Sequence, residues 1–109
     1  MALDVAAVAE QMLQASKGVF AGKWPKVKAF AESEFKKLAE TLVMIEKLRL
    51  TGQISEEEAA LHLQIQKNAT RSVLLTLKGL GLLAVEEAIN AALSVVKKAV
   101  NTAVGFSLI

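Results

Sequence analysis

Apolar residues recur every three or four positions along most of this chain, and that spacing predicts α-helices. The first helix is expected to begin after Asp4, because an aspartate side chain can accept a hydrogen bond from a free N–H of the first turn. Gly18 or Gly22 could end it, since glycine readily takes the left-handed conformation that closes a helix. The apolar stripe of this helix consists of Val5, Val8, Met12, Ala15 and Val19.

A longer amphipathic segment begins around Pro25, and proline is favourable in the first turn of a helix. We expect this second helix to run to about Leu50, with an apolar stripe made of Val27, Phe30, Phe35, Leu38, Leu42, Ile45 and Leu48. Gly52 can close it, and Ser55 with Glu58 has the spacing of a capping box that starts the next helix. The second and third helices are therefore predicted to form a central antiparallel αα-hairpin.

The third helix combines apolar residues with an unusually polar middle. One of its faces is formed by Leu61, Ile65, Ala69, Ser72 and Thr76, and around that face lie Leu63, Val73, Leu74 and Leu77. The polar middle is Gln64, Gln66, Asn68, Thr70 and Arg71, which is either solvent-exposed or a polar layer that fixes helix register. Gly79 and Gly81 each weaken a helix by about 1 kcal/mol relative to alanine, so we expect a kink or a break there, with a continuous helix as the alternative.

The last helix, from about Leu82 to Gly105, is the most apolar segment of the chain. One stripe consists of Leu82, Val85, Ile89, Leu93, Val96 and Val100, and a second, smaller-residue stripe consists of Ala84, Ala88, Ala91, Val95, Ala99 and Ala103. Apolar residues cover about two thirds of the helix circumference, which is more than a surface helix needs. The first stripe is therefore predicted to form either the core or an interface between copies of the chain.

Composition agrees with helices that pack on one another. The chain has 109 residues, 53% of them hydrophobic and only 5% aromatic, with a mean hydropathy of +0.40. This length suits one domain, residues 1–109, although its aliphatic surplus exceeds what one small monomer needs. The absence of cysteine excludes disulfides and zinc thiolates. Residues 1–20 lack the basic and apolar regions of a signal peptide, so we expect a cytoplasmic protein.

The charged residues do not favour nucleic-acid binding. The net charge is only +2, and lysines such as Lys23, Lys26 and Lys28 are dispersed among acidic residues rather than gathered in one basic patch. Glu86 lies in the most apolar helix, where a charge needs either solvent or a partner. Its expected place is a solvent-facing polar stripe, with Arg71, Lys78 or a symmetry-related copy of the chain as the candidate partner.

A membrane-spanning segment is not expected. The longest apolar run without a charge, residues 79–85, is far shorter than the roughly 20 residues that a span needs. A helix lying in the plane of the membrane is an alternative, because the last helix has a narrow polar stripe that ends in Lys97 and Lys98. Burial of the same helix in an oligomer explains the pattern without lipid.

Glu58 and His62 are the remaining candidates for site chemistry, since they lie four residues apart on one helix face. A di-metal site in a helical bundle uses the Glu-x-x-His pattern, which this chain lacks, and His62 is its only histidine. An exposed or hydrogen-bonded histidine is the simpler interpretation. No grouping of nucleophile and base is present, so we expect no enzyme activity and no cofactor.

These observations predict an all-α bundle of four helices, within a range of three to five, that is oligomeric. The expected function is non-enzymatic: a homo-oligomeric module with a structural, adaptor or assembly role, whose partner is itself or another protein and not nucleic acid. Replacing Ile89 or Leu93 with aspartate should dissociate or unfold it. One alternative is a peripheral membrane protein that binds lipid through the C-terminal helix. Another is a metal-binding bundle that uses Glu58 and His62.

Overall fold

The chain forms four α-helices joined by short connections, in a computed structural model that describes residues 2–109. The elements are α1 (Val5–Phe20), a single 3-10 turn (Ala21–Lys23), α2 (Trp24–Leu50), α3 (Glu56–Leu75) and α4 (Leu82–Val104). No strand occurs in this described part of the chain, so the all-α prediction is confirmed.

The start of α1 is as predicted, and its end is not. The side chain of Asp4 accepts a hydrogen bond from the N–H of Ala7 at 2.9 Å, as an N-cap does. The helix continues through Gly18 and stops at Ala21, which has a positive φ of 48°. Because Pro25 lies in the first turn of α2, the reversal of the chain falls on residues 21–23 rather than on either glycine.

The hairpin of α2 and α3 is confirmed. Gly52 takes a φ of 68°, a conformation that a side chain would strain. Both hydrogen bonds of the capping box form: Ser55 Oγ accepts from the N–H of Glu58 at 3.1 Å, and Glu58 Oε1 accepts from the N–H of Ser55 at 3.0 Å. These local interactions start α3 directly after the turn.

The helical structure is interrupted between α3 and α4. A kink or break is one of the two outcomes expected at Gly79 and Gly81. Helix α3 ends at Leu75, residues 76–81 form turns, and Gly79 has a φ of 90°. The ammonium group of Lys23 donates a hydrogen bond to the carbonyl of Gly79 and so ties this connection to the start of α2. Helix α4 ends at Gly105, whose φ of 82° is typical of a glycine cap.

The four helices run alternately up and down, which short connections impose on neighbouring helices. Helix α1 lies between α2 and α4 and contacts α4 most extensively, whereas α3 packs mainly on α2 and only lightly on α4. The accessible surface of 6008 Å² is close to the roughly 5,800 Å² expected for a folded monomer of this mass. The high apolar content of the sequence is therefore accommodated without an accessible surface larger than a folded monomer of this mass normally has.

A buried carboxylate holds the first described residues against α2. Glu46 is almost completely buried, and its side chain accepts hydrogen bonds from the backbone N–H of Ala2 at 2.8 Å and of Leu3 at 3.2 Å. Glutamate is rarely buried unless it is paired, so the burial of Glu46 is not what its charge alone suggests. A buried carboxylate needs such partners, because burial without hydrogen bonds is costly.

Two further polar side chains bind the segments at the same end of the bundle. Asn101 Oδ1 accepts from the N–H of both Leu108 and Ile109 at 3.0 Å and so folds the last residues back on α4. The guanidinium group of Arg49 lies 5.1 Å from the centre of the Phe106 ring, within the range of a cation–π contact. We call this end, with Glu46, Arg49 and Asn101, the tied end.

Candidate association surface

The predicted interface stripe of α4 lies inside the bundle. Val85, Ile89, Leu93, Val96 and Val100 are buried against other helices of the same chain, and only Leu82 is exposed. Of the two roles predicted for the stripe, the described structure therefore gives five residues the role of core. None of those five is accessible to a second copy while the bundle stays closed.

The second, small-residue stripe of α4 is split between the core and the surface. Ala88 is fully buried, Ala84, Ala91 and Ala103 are half-buried, and Val95 and Ala99 face solvent. Alanine lets neighbouring helices approach closely, which fits the extensive contact between α1 and α4. The broad apolar circumference of α4 is thus used mainly by helices of its own chain.

Helix α3 does not bury the side that carries Leu61 and Ile65; a different side of the helix faces the core. Leu61 and Ile65 are 60% and 58% exposed, although both are large aliphatic residues one turn apart. The side facing the core consists of Ala59, Leu63, Thr70 and Leu74. Thr70 can be buried because its hydroxyl lies within hydrogen-bonding distance of the Gln66 amide, at 3.4 Å.

After its first turn, α3 exposes no acidic side chain and no lysine or arginine. The exposed residues from position 60 onward are Ala60, Leu61, His62, Gln64, Ile65, Asn68, Ala69, Ser72 and Leu75. We call these nine residues the outer face of α3, a surface about 23 Å long at 1.5 Å per residue. The exposed side of α2 carries seven charged residues: Lys26, Lys28, Glu32, Lys36, Lys37, Glu40 and Lys47.

Hydrogen bonds fix the polar centre of the outer face. Asn68 Oδ1 accepts from the Gln64 amide at 2.9 Å and from the guanidinium of Arg71 at 2.8 Å. The same guanidinium pairs with the carboxylate of Glu86 on α4, so Arg71 is the partner of Glu86. This chain of contacts connects the outer face to α4 and orients the Asn68 side chain at the middle of the surface.

His62 lies near the beginning of the outer face, and Glu58, in the first turn of α3 before that face, is engaged by the helix cap. The hydrogen bond from the Ser55 backbone N–H, followed by the hydrogen bond with the Ser55 hydroxyl group, lowers the pKa of Glu58 below its ordinary value of 4.5. His62 is exposed. Within residues 2–109, no three His, Asp or Glu side chains are grouped so that they could hold a metal ion.

Sequence reasoning missed the exposure of the outer face because it had no way to choose between two apolar sets on α3. A usable signal was present in the charges: Lys67 and Arg71 flank the core-facing side and are half-buried, while the opposite side is uncharged. The same reasoning misplaced Phe30, which it counted in the core stripe of the second helix and which is 46% exposed.

Comparison with family models, with curated proteins and with solved structures finds no match to this chain. Across the described residues, no helix combines the length and the apolar character that crossing a membrane requires. The function of the protein must therefore be inferred from its own surface.

Proposed function

We propose that this protein is a non-enzymatic association module that forms a homodimer through the outer face of α3. The observation that carries the proposal is the exposure of Leu61 and Ile65 in the first half of a face whose nine exposed residues include no acid, lysine or arginine. The neighbouring Arg71 is paired with Glu86. Solvent-facing helices normally carry charges opposite their apolar stripe, and contiguous exposed apolar surface commonly marks an interaction site.

A second copy of the chain is the partner that this surface fits best. In a two-fold symmetric dimer the same surface of both copies is in contact, so two faces with the same net charge would repel each other. The outer face of α3 has no such repulsion. Antiparallel packing would place Leu61 of one copy near the far end of the partner helix and bring the two central polar segments together. A polar residue such as Asn68 in a helix seam is known to fix register at some cost in stability.

The proposal moves the association surface from α4 to α3. The apolar stripe of α4 forms the core. Association is assigned instead to exposed side chains of α3, such as Leu61 and Ile65, which a partner can reach. The module would then act in a structural, adaptor or assembly role, and we propose the cytoplasm as its location. No cysteine is present that would require an oxidising compartment.

The test is the solution mass of the purified protein, measured by light scattering behind size exclusion. The unchanged chain should elute as a dimer, and Leu61→Asp or Ile65→Asp should give monomers, because each carboxylate would be buried against the partner helix without a hydrogen-bond partner. Since both residues are exposed, each variant should keep its helical circular dichroism. Val95→Asp is the matched control: it places the same charge on an exposed aliphatic position of α4 and should remain dimeric. A monomeric unchanged chain, or dissociation by Val95→Asp alone, would overturn the proposal.

The two alternatives have less support from the geometry. Lipid binding through the whole apolar stripe of the C-terminal helix would require α4 to leave the bundle, because five of its six stripe residues are buried. Truncation after Gly81 would remove the main packing partner of α1, so it would unfold the chain rather than test lipid binding. A metal centre at Glu58 and His62 would be detected as stoichiometric iron or manganese in purified protein.

A further inference from the structure

The end of the bundle opposite the tied end gathers lysines that are far apart in sequence. Lys23 and Lys26, at the start of α2, and Lys78, in the connection before α4, line one surface pocket. Its apolar floor includes Val27 and Leu77. The sequence shows these lysines as isolated charges, and the fold brings them to one place.

No acidic residue lies in the chain segments that build this end. Residues 11–31 and 72–85 contain Lys17, Lys23, Lys26, Lys28 and Lys78 and no aspartate or glutamate. Beyond these segments, Glu32 lies 3.9 Å from Lys28, and Glu86 is paired with Arg71. Glu87 stands about 6 Å further along α4 than Leu83, one helical turn away. The end itself therefore carries a concentrated positive charge, and we call it, together with Leu82 and Leu83, the basic end.

Two leucines project from this same end. Leu82 and Leu83 form the first turn of α4 and are 56% and 74% exposed, the second being the most exposed large aliphatic residue of the described chain. No side chain caps this helix start at Gly81. Free N–H groups at a helix N-terminus favour an approaching anion.

We propose that the basic end docks on the surface of an anionic lipid bilayer. Lysines attract the negatively charged headgroups, and exposed leucines can enter the boundary between headgroups and acyl chains. A nucleic acid would use the lysines and leave the leucines without a role. A bilayer uses both, and the molecule would stand on the membrane with α4 remaining in the bundle. This proposal is independent of the outer face of α3.

Co-sedimentation of the full chain with vesicles tests the proposal. Binding is expected to vesicles of phosphatidylcholine mixed with phosphatidylserine, to be weak with phosphatidylcholine alone, and to fall as salt screens the charges. Each lysine near an anionic surface contributes about a fivefold gain in partitioning. The Lys26→Gln/Lys78→Gln variant should therefore bind about 25-fold more weakly. It retains Lys23 and its hydrogen bond to Gly79, so its fold should be intact by circular dichroism.

The leucines give the second arm of the experiment. Leu82→Ser/Leu83→Ser should lower vesicle binding about tenfold or more, because it removes the apolar side chains that enter the lipid. Two controls at the tied end, Lys97→Gln/Lys98→Gln and Leu50→Ser, should change binding by less than about twofold. Absence of binding to anionic vesicles, or equal losses in the controls, would overturn the proposal. So would retention on duplex DNA that depends on the lysines and not on the leucines.

Discussion

Helices α3 and α4 are built from the same kinds of residue and use them in opposite ways. Helix α4 is apolar around most of its circumference and buries most of its large side chains, with Leu82 and Leu83 in the first turn and Val95 as the exposed exceptions. Helix α3 is far more polar overall, yet it presents Leu61 and Ile65 to solvent. The overall apolar content of a helix therefore does not tell whether its apolar residues are available to a partner.

The difference follows from how many neighbours each helix has. Helix α4 lies against α1 along its length and also contacts α2 and α3, so most of its surface is covered. Helix α3 packs mainly on α2, and one narrow side that includes Ala59 and Thr70 is enough for that contact. Its remaining apolar residues face outward because no fifth helix of the chain is there to cover them.

The sharpest test of the comparison is a buried charge on α4. Ile89 is fully buried, and Ile89→Asp should lower the free energy of unfolding by more than about 4 kcal/mol, because an unpaired carboxylate would lose its hydration in the core. A loss of that size removes much of a typical domain stability of about 5–15 kcal/mol. Thermal unfolding followed by circular dichroism measures the effect. An unchanged melting temperature would mean that α4 does not form the core.

A smaller effect separates a buried alanine of α4 from an exposed one. Ala92 is fully buried, whereas Ala99 is exposed on the same helix. Ala92→Leu should destabilise the protein by about 1–3 kcal/mol through overpacking, and Ala99→Leu should be close to neutral. Urea unfolding midpoints of the two variants make the comparison. Equal midpoints would contradict the close approach of α4 to its neighbours.

On α3 the informative change removes a polar group from the outer face. Asn68→Leu would join the exposed apolar residues Leu61, Ile65 and Leu75 into a more continuous seam. Self-association should tighten about tenfold, and the oligomer should become less uniform, because a polar residue in a seam specifies register at a cost in stability. Sedimentation equilibrium gives both results. Weaker association in this variant would indicate that the Asn68 amide itself makes the contact.

The smallest predicted effect concerns the cap of α3. The folded-state pKa of Glu58 lies below its ordinary value of 4.5, so its carboxylate stabilises the protein above that value. This contribution is lost as the pH falls through the lower, folded-state pKa. The unchanged chain should therefore melt slightly above Glu58→Gln at neutral pH, and the difference should shrink in acid. A difference that stays constant from pH 7 to about pH 3 would show that the charge contributes nothing.

Local signals in the sequence were sufficient for the helices and their boundaries. Asp4, Gly52, and the pair Ser55 and Glu58 each act through hydrogen bonds or backbone angles within a few residues, so their roles can be recognised without the fold. The break near Gly79 belongs to the same class. These features predicted the all-α architecture and the hairpin.

Features that depend on distant parts of the chain could not be predicted in the same way. Glu46 is buried because the backbone at Ala2 and Leu3 reaches it across 43 or more residues of sequence. The outer face of α3 is exposed because of where α1, α2 and α4 lie. The gathering of Lys23, Lys26 and Lys78 likewise depends on the fold, since the periodicity of a helix carries no information about its neighbours.

The extensive contact between α1 and α4 also has a consequence for the order of folding. The hairpin of α2 and α3 joins helices separated by five residues, so its loop closes at little entropic cost. The side of α1 that packs on α4 must instead wait for that helix, which follows it by about sixty residues, and non-local contacts form slowly. A chain emerging from the ribosome would therefore carry an α1 with one uncovered apolar side until α4 has been synthesised. Closure of the bundle by α4 is then the step at which aggregation of the nascent chain competes with folding.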